Sequence, residues 1–141
     1  MRLDRETIRS LCTEQSFERG VGYFKAGWVK VVDASPSRVK AVVSGTDDYR
    51  VETNLDDQIS ATCTCPYDWG GYCKHIVATM LAVVHDDGKV EALIEEKETM
   101  WKRVEMLLKK AELEELRCFL LKEFEKCPDM MSHFLLVTHI Y

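Results

Sequence analysis

Thirteen residues, from Cys63 to His75, read Cys-Thr-Cys-Pro-Tyr-Asp-Trp-Gly-Gly-Tyr-Cys-Lys-His, and this C-x-C-x7-C-x-H spacing restricts the chain more than any other feature. Three thiols and one imidazole match the Cys₃His ligand set of a structural zinc ion, tetrahedral and closed. The residues leading into Cys63 read as strand, where side chains alternate faces, so Cys63 and Cys65 are expected to point the same way. The second pair obeys a different rule. Positions i and i+2 of a helix lie about 200° apart, so Cys73 should precede or open a helix, with His75 in its first turn. Ile76 to Leu81 then continues as a buried helical run. The spacing therefore predicts Cys63, Cys65, Cys73 and His75 as ligands of one structural zinc, stapling a strand end to a helix start. A set of buried cysteines beside a satisfied histidine is the plain alternative, but it leaves four donors at compatible spacing unexplained. A disulfide fits less well, since Cys63 and Cys65 are poorly placed to bridge each other and nothing suggests an oxidising compartment.

At these residues the chain resembles the SWIM-type zinc fingers, whose hallmark is C-x-C, a variable loop, then C-x-H. Cys65-Pro66-Tyr67 with Gly70-Gly71, and Cys73-Lys74-His75-Ile76-Val77-Ala78, are similar to the prokaryotic version of that motif. Upstream, Ser16-Phe17-Glu18-Arg19-Gly20 with Tyr23, Gly27 and Val29 resembles the segment that precedes such a finger. The likeness covers roughly residues 5 to 85 and implies a module that binds DNA or protein. Family members occur in remodelling-type ATPases, in transposases and as small stand-alone proteins, and neither an ATPase nor a transposase surrounds this finger.

A chain of 141 residues suits one domain with an appendage, and 46% hydrophobic with 30% charged residues is a globular composition. The charged start Met1-Arg2-Leu3-Asp4-Arg5-Glu6 is unlike a secretory signal and no apolar run reaches membrane-spanning length, so a cytoplasmic, membrane-free protein is expected. In that compartment clustered cysteines bind metal more often than they pair. The remaining cysteines, Cys12, Cys118 and Cys127, sit in or beside apolar helical patterns and read as buried, inert thiols. Net charge is −5: residues 1–80 hold 10 Lys+Arg against 11 Asp+Glu, and residues 81–141 hold 9 against 13. Neither part carries the basic excess that phosphate binding demands.

Along the chain, Asp4 is placed to cap a helix running to about Thr13, and Ser16 a second one that Gly27 terminates. Gly20 and Gly22 inside the second helix read as close-packing positions. Strand patterning follows over 28–34, 39–43, 49–53 and 58–63, with turns at Ser35-Pro36-Ser37, Gly45-Thr46-Asp47-Asp48 and Asn54-Leu55-Asp56-Asp57. Short turns between successive strands predict an antiparallel meander. The zinc-site helix should run from Cys73 to about Asp86, ended by Gly88, and bury Val77, Met80, Leu81 and Val84 on that sheet. Beyond Lys89, Val90, Leu93, Ile94, Trp101, Val104 and Leu108 form one helical stripe, interrupted by Lys97, and Leu113, Leu116, Leu120 and Phe124 form a second. A third helix opens at Pro128, with Met131, Phe134 and Leu135 inward, as in a packed bundle and not a coiled coil, since sharp heptads are absent. About fifty residues make a thin core alone, so these helices are expected to dock on the finger domain or on a partner. The expected class is α+β: N-terminal helices, a small antiparallel β-meander, a ββα-like zinc finger and a C-terminal helical region. Domain boundaries are expected at 1–88, with a finger core at 49–85, and 89–141. The apolar finish Leu135 to Tyr141 reads as a fragment end or an interaction surface.

No Gly-rich phosphate loop and no G-x-S-x-G elbow occur, and His85, His133 and His139 have no obvious carboxylate or nucleophile partner. A catalytic zinc keeps an open position, and four good ligands leave none. The chain therefore reads as non-enzymatic, with no catalytic residues and no small-molecule substrate. Its recognition element is the loop from Pro66 to Tyr72, where Tyr67, Trp69 and Tyr72 stand on a metal-fixed base, beside Lys74. Packing of Tyr67 and Tyr72 over the metal site is the competing role for those two rings. A protein partner, and hence an adaptor, is the first reading. DNA or RNA binding through Arg38, Lys40, Arg50 and Lys74 is the second.

Overall fold

Alternation of apolar and polar residues between Trp28 and Cys63 produces four strands, because each can hide only every second side chain. In the computed structural model, which describes residues 2–86 and 88–138, these are β1 (Val29–Ser35), β2 (Arg38–Ser44), β3 (Asp48–Asn54) and β4 (Ser60–Cys63). They form one antiparallel sheet in the order β1-β2-β3-β4. Val39, Ala41 and Val43 of β2 and Val51 and Thr53 of β3 face the core. Arg38, Lys40, Arg50 and Glu52 face away. An irregularity between Val31 and Asp33 shifts the register of β1, and leaves Val32 exposed.

Ahead of the sheet stand α1 (Arg5–Ser10) and α2 (Glu14–Lys25). Asp4 caps α1 as expected, accepting from the Thr7 amide at 2.8 Å, but the helix ends at Ser10. The cap of α2 is Thr13 and not Ser16: the Thr13 hydroxyl accepts from the Ser16 amide at 3.2 Å. Ser16 is buried in the first turn, and its hydroxyl serves the finger loop. At the other end Gly27 takes φ +73°. Its amide donates to Phe24 and that of Trp28 to Tyr23, the paired bonds of a Schellman turn.

The helix after the thiol pair, α3 (Lys74–Val84), carries seven consecutive buried residues from His75 to Leu81. It packs between α2 and the inner face of the sheet, and Met80, Leu81 and Val77 are fully enclosed there with Ile8, Phe17, Val43 and Val51. Gly20 permits the α2–α3 approach, for a Cβ at that position would lie 2.4 Å from Val77 Cγ1. Gly22 does not act in this way, since nothing lies within 4 Å of its Cβ position. α3 stops at Val84, short of Gly88, whose carbonyl instead accepts from Ala92 at the start of the next helix.

That helix, α4, spans Lys89–Lys110. Its first turns place Val90, Leu93 and Ile94 against Ala34, Val39 and Leu55, and Lys97 Nζ donates to Asp33 Oδ1 at 2.8 Å. α5 (Leu113–Lys126) and α6 (Pro128–Val137) follow, with Pro128 in the first turn of α6 as expected. Clustering of the backbone divides the chain into two units, Met1–Glu98 and Thr99–Tyr141. Among the described residues of the second unit the expected bundle core is not formed. Trp101 and Leu108 are half exposed, α5 and α6 contain no buried residue, and Met131, Phe134 and Leu135 stay open to solvent. Forty-odd residues enclose too little volume to exclude water from three helices at once. Cys118 and Cys127 are likewise exposed, not buried as their apolar surroundings suggested. Part of the apolar finish, residues 139–141 with His139, lies outside the described residues.

Candidate metal centre

β4 ends at Cys63, and the chain bends at once, so Cys65 lies beyond the strand and not on it. The two thiols still converge, because the bend brings the Cys65 amide to 3.5 Å from Cys63 Sγ. Across the loop, Cys73 occupies the N-cap of α3 in extended conformation and His75 falls in the first turn. One donor atom from each of Cys63, Cys65, Cys73 and His75 lies within 4.8 Å of every other. His75 Nδ1 is 3.7 Å from Cys63 Sγ and 3.9 Å from Cys73 Sγ. Bonds of about 2.3 Å to sulfur and 2.0–2.1 Å to nitrogen in a tetrahedron set donors roughly 3.5–3.8 Å apart. The Cys₃His cluster therefore fits one structural zinc ion, with Nδ1 as the imidazole donor.

Proton sharing within the cluster drives two of its thiols apart in proton affinity. The hydrogen bond from Cys63 draws the Cys73 thiol down to about 4 against the opposing effect of burial, with the His75 ring and the Ile76 amide adding to the fall. That same bond, with burial, pushes the Cys63 thiol far above the usual range. Cys63 and Cys73 share one proton in this way, and a metal ion would displace it. Cys12, which lies off the cluster, is held protonated by burial.

Two rings that the spacing argument overlooked position the imidazole. Tyr49 stacks on His75 with centroids 4.2 Å apart, and Tyr23 meets it edge-on at 5.4 Å. His75 itself is 3% exposed, and its Nε2 has no hydrogen-bond partner among the described residues. Tyr23 also carries Lys74 Nζ 4.8 Å from its ring centre, so the cation between the two helix-side donors is held on an aromatic face.

The loop between the thiol pairs is fastened to the N-terminal helices. Ser16 Oγ donates to Tyr67 Oη at 3.0 Å, and the Tyr72 amide donates to Leu11 O at 3.0 Å. Tyr72 Oη reaches Ile59 O at 3.3 Å. Gly71 has φ +68°, and a Cβ there would sit 2.8 Å from Leu11 O, so only glycine meets both demands. Tyr67 and Tyr72 are thus half buried, whereas Trp69 is 83% exposed. Beside Trp69 opens a cavity of about 280 Å³ whose lining includes Arg19, Tyr49, Tyr67, Trp69, Lys74 and His75, and no carboxylate. Arg19 makes no ion pair among the described residues. Its only sequence signal was its place in the Ser16–Gly20 segment.

The four expected cations do not form one patch. Arg38 and Lys40 lie on the outer sheet face, 3.4 and 3.6 Å from the same Glu52 carboxylate. Arg50 shares that face, while Lys74 lines the cavity by α2. His85 is exposed and stacks on Phe24, and His133 is exposed.

A family model, the SWIM zinc finger, matches residues 48–84, from the first residue of β3 to the last of α3. No curated protein and no solved structure matches the chain. No helix among the described residues is long and apolar enough to cross a membrane. Motif, donor geometry and family model coincide on the same segment, and the chain carries a SWIM zinc finger over residues 48–84.

Proposed function

We propose that this protein is a non-catalytic, cytoplasmic adaptor whose finger module (residues 1–88) binds another protein, with residues 89–141 as a helical appendage. Cys63, Cys65, Cys73 and His75 are the ligands of its zinc. The observation that supports the reading is Trp69: an indole left 83% in water at the tip of a loop that is otherwise bonded down. Large aromatics on rigid supports are the usual anchors of protein interfaces, since ordering them costs little conformational entropy. Arg19 and Lys74 flank the adjoining cavity, so the segment it takes carries carboxylates around an apolar side chain. Tyr67 lines the same cavity and Tyr72 holds the loop at its base.

DNA or RNA binding is the second reading, favoured by Arg50, which makes no ion pair among the described residues, and by the capacity of Trp69 to stack on a base. Glu52 weakens it, since its single carboxylate faces both Arg38 and Lys40 and offsets one of their two charges. Capture of partners by zinc-loaded protein, set beside Trp69→Ala and Cys73→Ser, tests the first reading, because both variants should lose the same bound protein. Equal recovery with all three overturns it. Titration with single- and double-stranded DNA separates the second, since phosphate neutralisation imposes a steep salt dependence. No binding at ~50 mM salt retires it.

A further inference from the structure

Of the eighteen large apolar side chains that the described residues leave exposed, fifteen lie between Met100 and Val137. About half of each is open, which over the three helices sums to on the order of 1,000 Å² of apolar side-chain surface, more than enough to supply a patch of the few hundred Å² that marks an interaction site. Each side of a stable protein interface buries roughly 800 Å². Within this unit the helices do not satisfy one another. α5 and α6 meet through Phe124 and Phe134, 5.0 Å apart, but α4 does not pack along α5.

Charge indicates what covers this surface. Residues 99–110 hold four Lys+Arg against one Glu, a net +3. Residues 111–138 hold three Lys+Arg against six Asp+Glu, a net −3. The unit is neutral as a whole and oppositely charged at its two ends. A two-fold axis sets the basic end of one copy on the acidic end of the other, and does so twice, because an isologous contact repeats every pairing. The complementary surface that this unit needs is therefore present on a second copy of itself. We propose that residues 99–138 form a homodimerisation unit, in which the end of α4 from one chain lies against α5 and α6 of its partner.

Sedimentation of the zinc-loaded full chain from about 1 to 100 µM tests this. Reductant is included so that exposed Cys118 and Cys127 cannot cross-link. The expected mass is twice 16.3 kDa. Leu121 and Leu136 are 64% and 74% exposed, so Leu121→Lys with Leu136→Lys should leave helix content and zinc unchanged while returning the mass to that of one chain. Lys102→Glu with Arg103→Glu, and separately Glu114→Lys with Glu125→Lys, should each weaken self-association at least tenfold. Mixing the two charge variants should restore a dimer, since opposite signs then meet again. A single-chain mass throughout the range overturns the proposal. So does a dimer indifferent to the leucine substitutions, or a charge-variant mixture that stays monomeric.

Discussion

Substituting alanine at Gly20 and at Gly22 asks one helix the same question twice, and opposite answers are expected. Helix propensity alone favours both changes by about 0.8–1 kcal/mol, because glycine loses the most backbone freedom on folding. At Gly22 that is the whole effect, as a new Cβ meets nothing within 4 Å. At Gly20 the added carbon would lie 2.4 Å from Val77 Cγ1, 2.6 Å from its Cβ and 3.0 Å from the Lys74 carbonyl. Val77 cannot turn away, since a β-branched residue in a helix has one strongly preferred rotamer and this one is fully enclosed. The α2–α3 pair must then separate, and overpacking of this kind costs about 1–3 kcal/mol. Gly20→Ala should emerge up to about 2 kcal/mol less stable and Gly22→Ala up to about 1 kcal/mol more stable, once propensity is set against strain. For a unit of this size that gap corresponds to on the order of 10 °C in melting temperature. Because Lys74 separates Cys73 from His75, Gly20→Ala should also weaken zinc retention. Thermal denaturation of both variants, with metal content measured in parallel, decides the matter. Adding Val77→Ala to Gly20→Ala should recover part of the loss, as the two sites are in contact. Equal stability of the two single variants would show that the close approach of α2 to α3 has been misread.

Loss of metal should be equally specific. Chelation, or Cys65→Ala, is expected to open residues 58–88 to hydrogen exchange before the rest, while a Cys12 variant keeps one zinc per chain. Full zinc in Cys65→Ala would remove that residue from the ligand set. Gly71→Ala combines a left-handed backbone with a Cβ 2.8 Å from Leu11 O, so denaturant titration should show a loss of about 2–4 kcal/mol. Acid should release the metal, because thiolates and a neutral imidazole are the donors and protons compete for all four. Zinc retention should therefore be complete at neutral pH and fall as pH is lowered, and a pH-independent zinc content would count against thiolate ligation.

The metal centre was legible in the sequence because its logic is local. Thirteen residues hold all four donors, and helical spacing sets Cys73 and His75 at the start of α3, whereas a bend after β4, not strand alternation, turns Cys65 toward Cys63. The sheet was legible for the same reason, each strand carrying its own alternation and each turn its own Ser, Gly, Asn or Asp. Competition between neighbours was less readable. Thr13 and Ser16 are both good caps, and the choice between them went to Thr13 while the Ser16 hydroxyl is bonded to Tyr67, fifty-one residues away. The stripe from Val90 to Leu108 is apolar on both sides of its break at Lys97, yet only its first turns found a partner surface in Ala34, Val39 and Leu55.

By itself, then, the order of residues determined the donor set, the meander and the helix that closes the site, since each depends on spacing along the backbone. The clamp of Tyr49 and Tyr23 on His75, the difference between Gly20 and Gly22, the cavity beside Trp69 and the open faces after Thr99 were decided only in three dimensions. Those features depend on which distant surfaces meet, and periodicity states that a face is apolar without stating what will cover it.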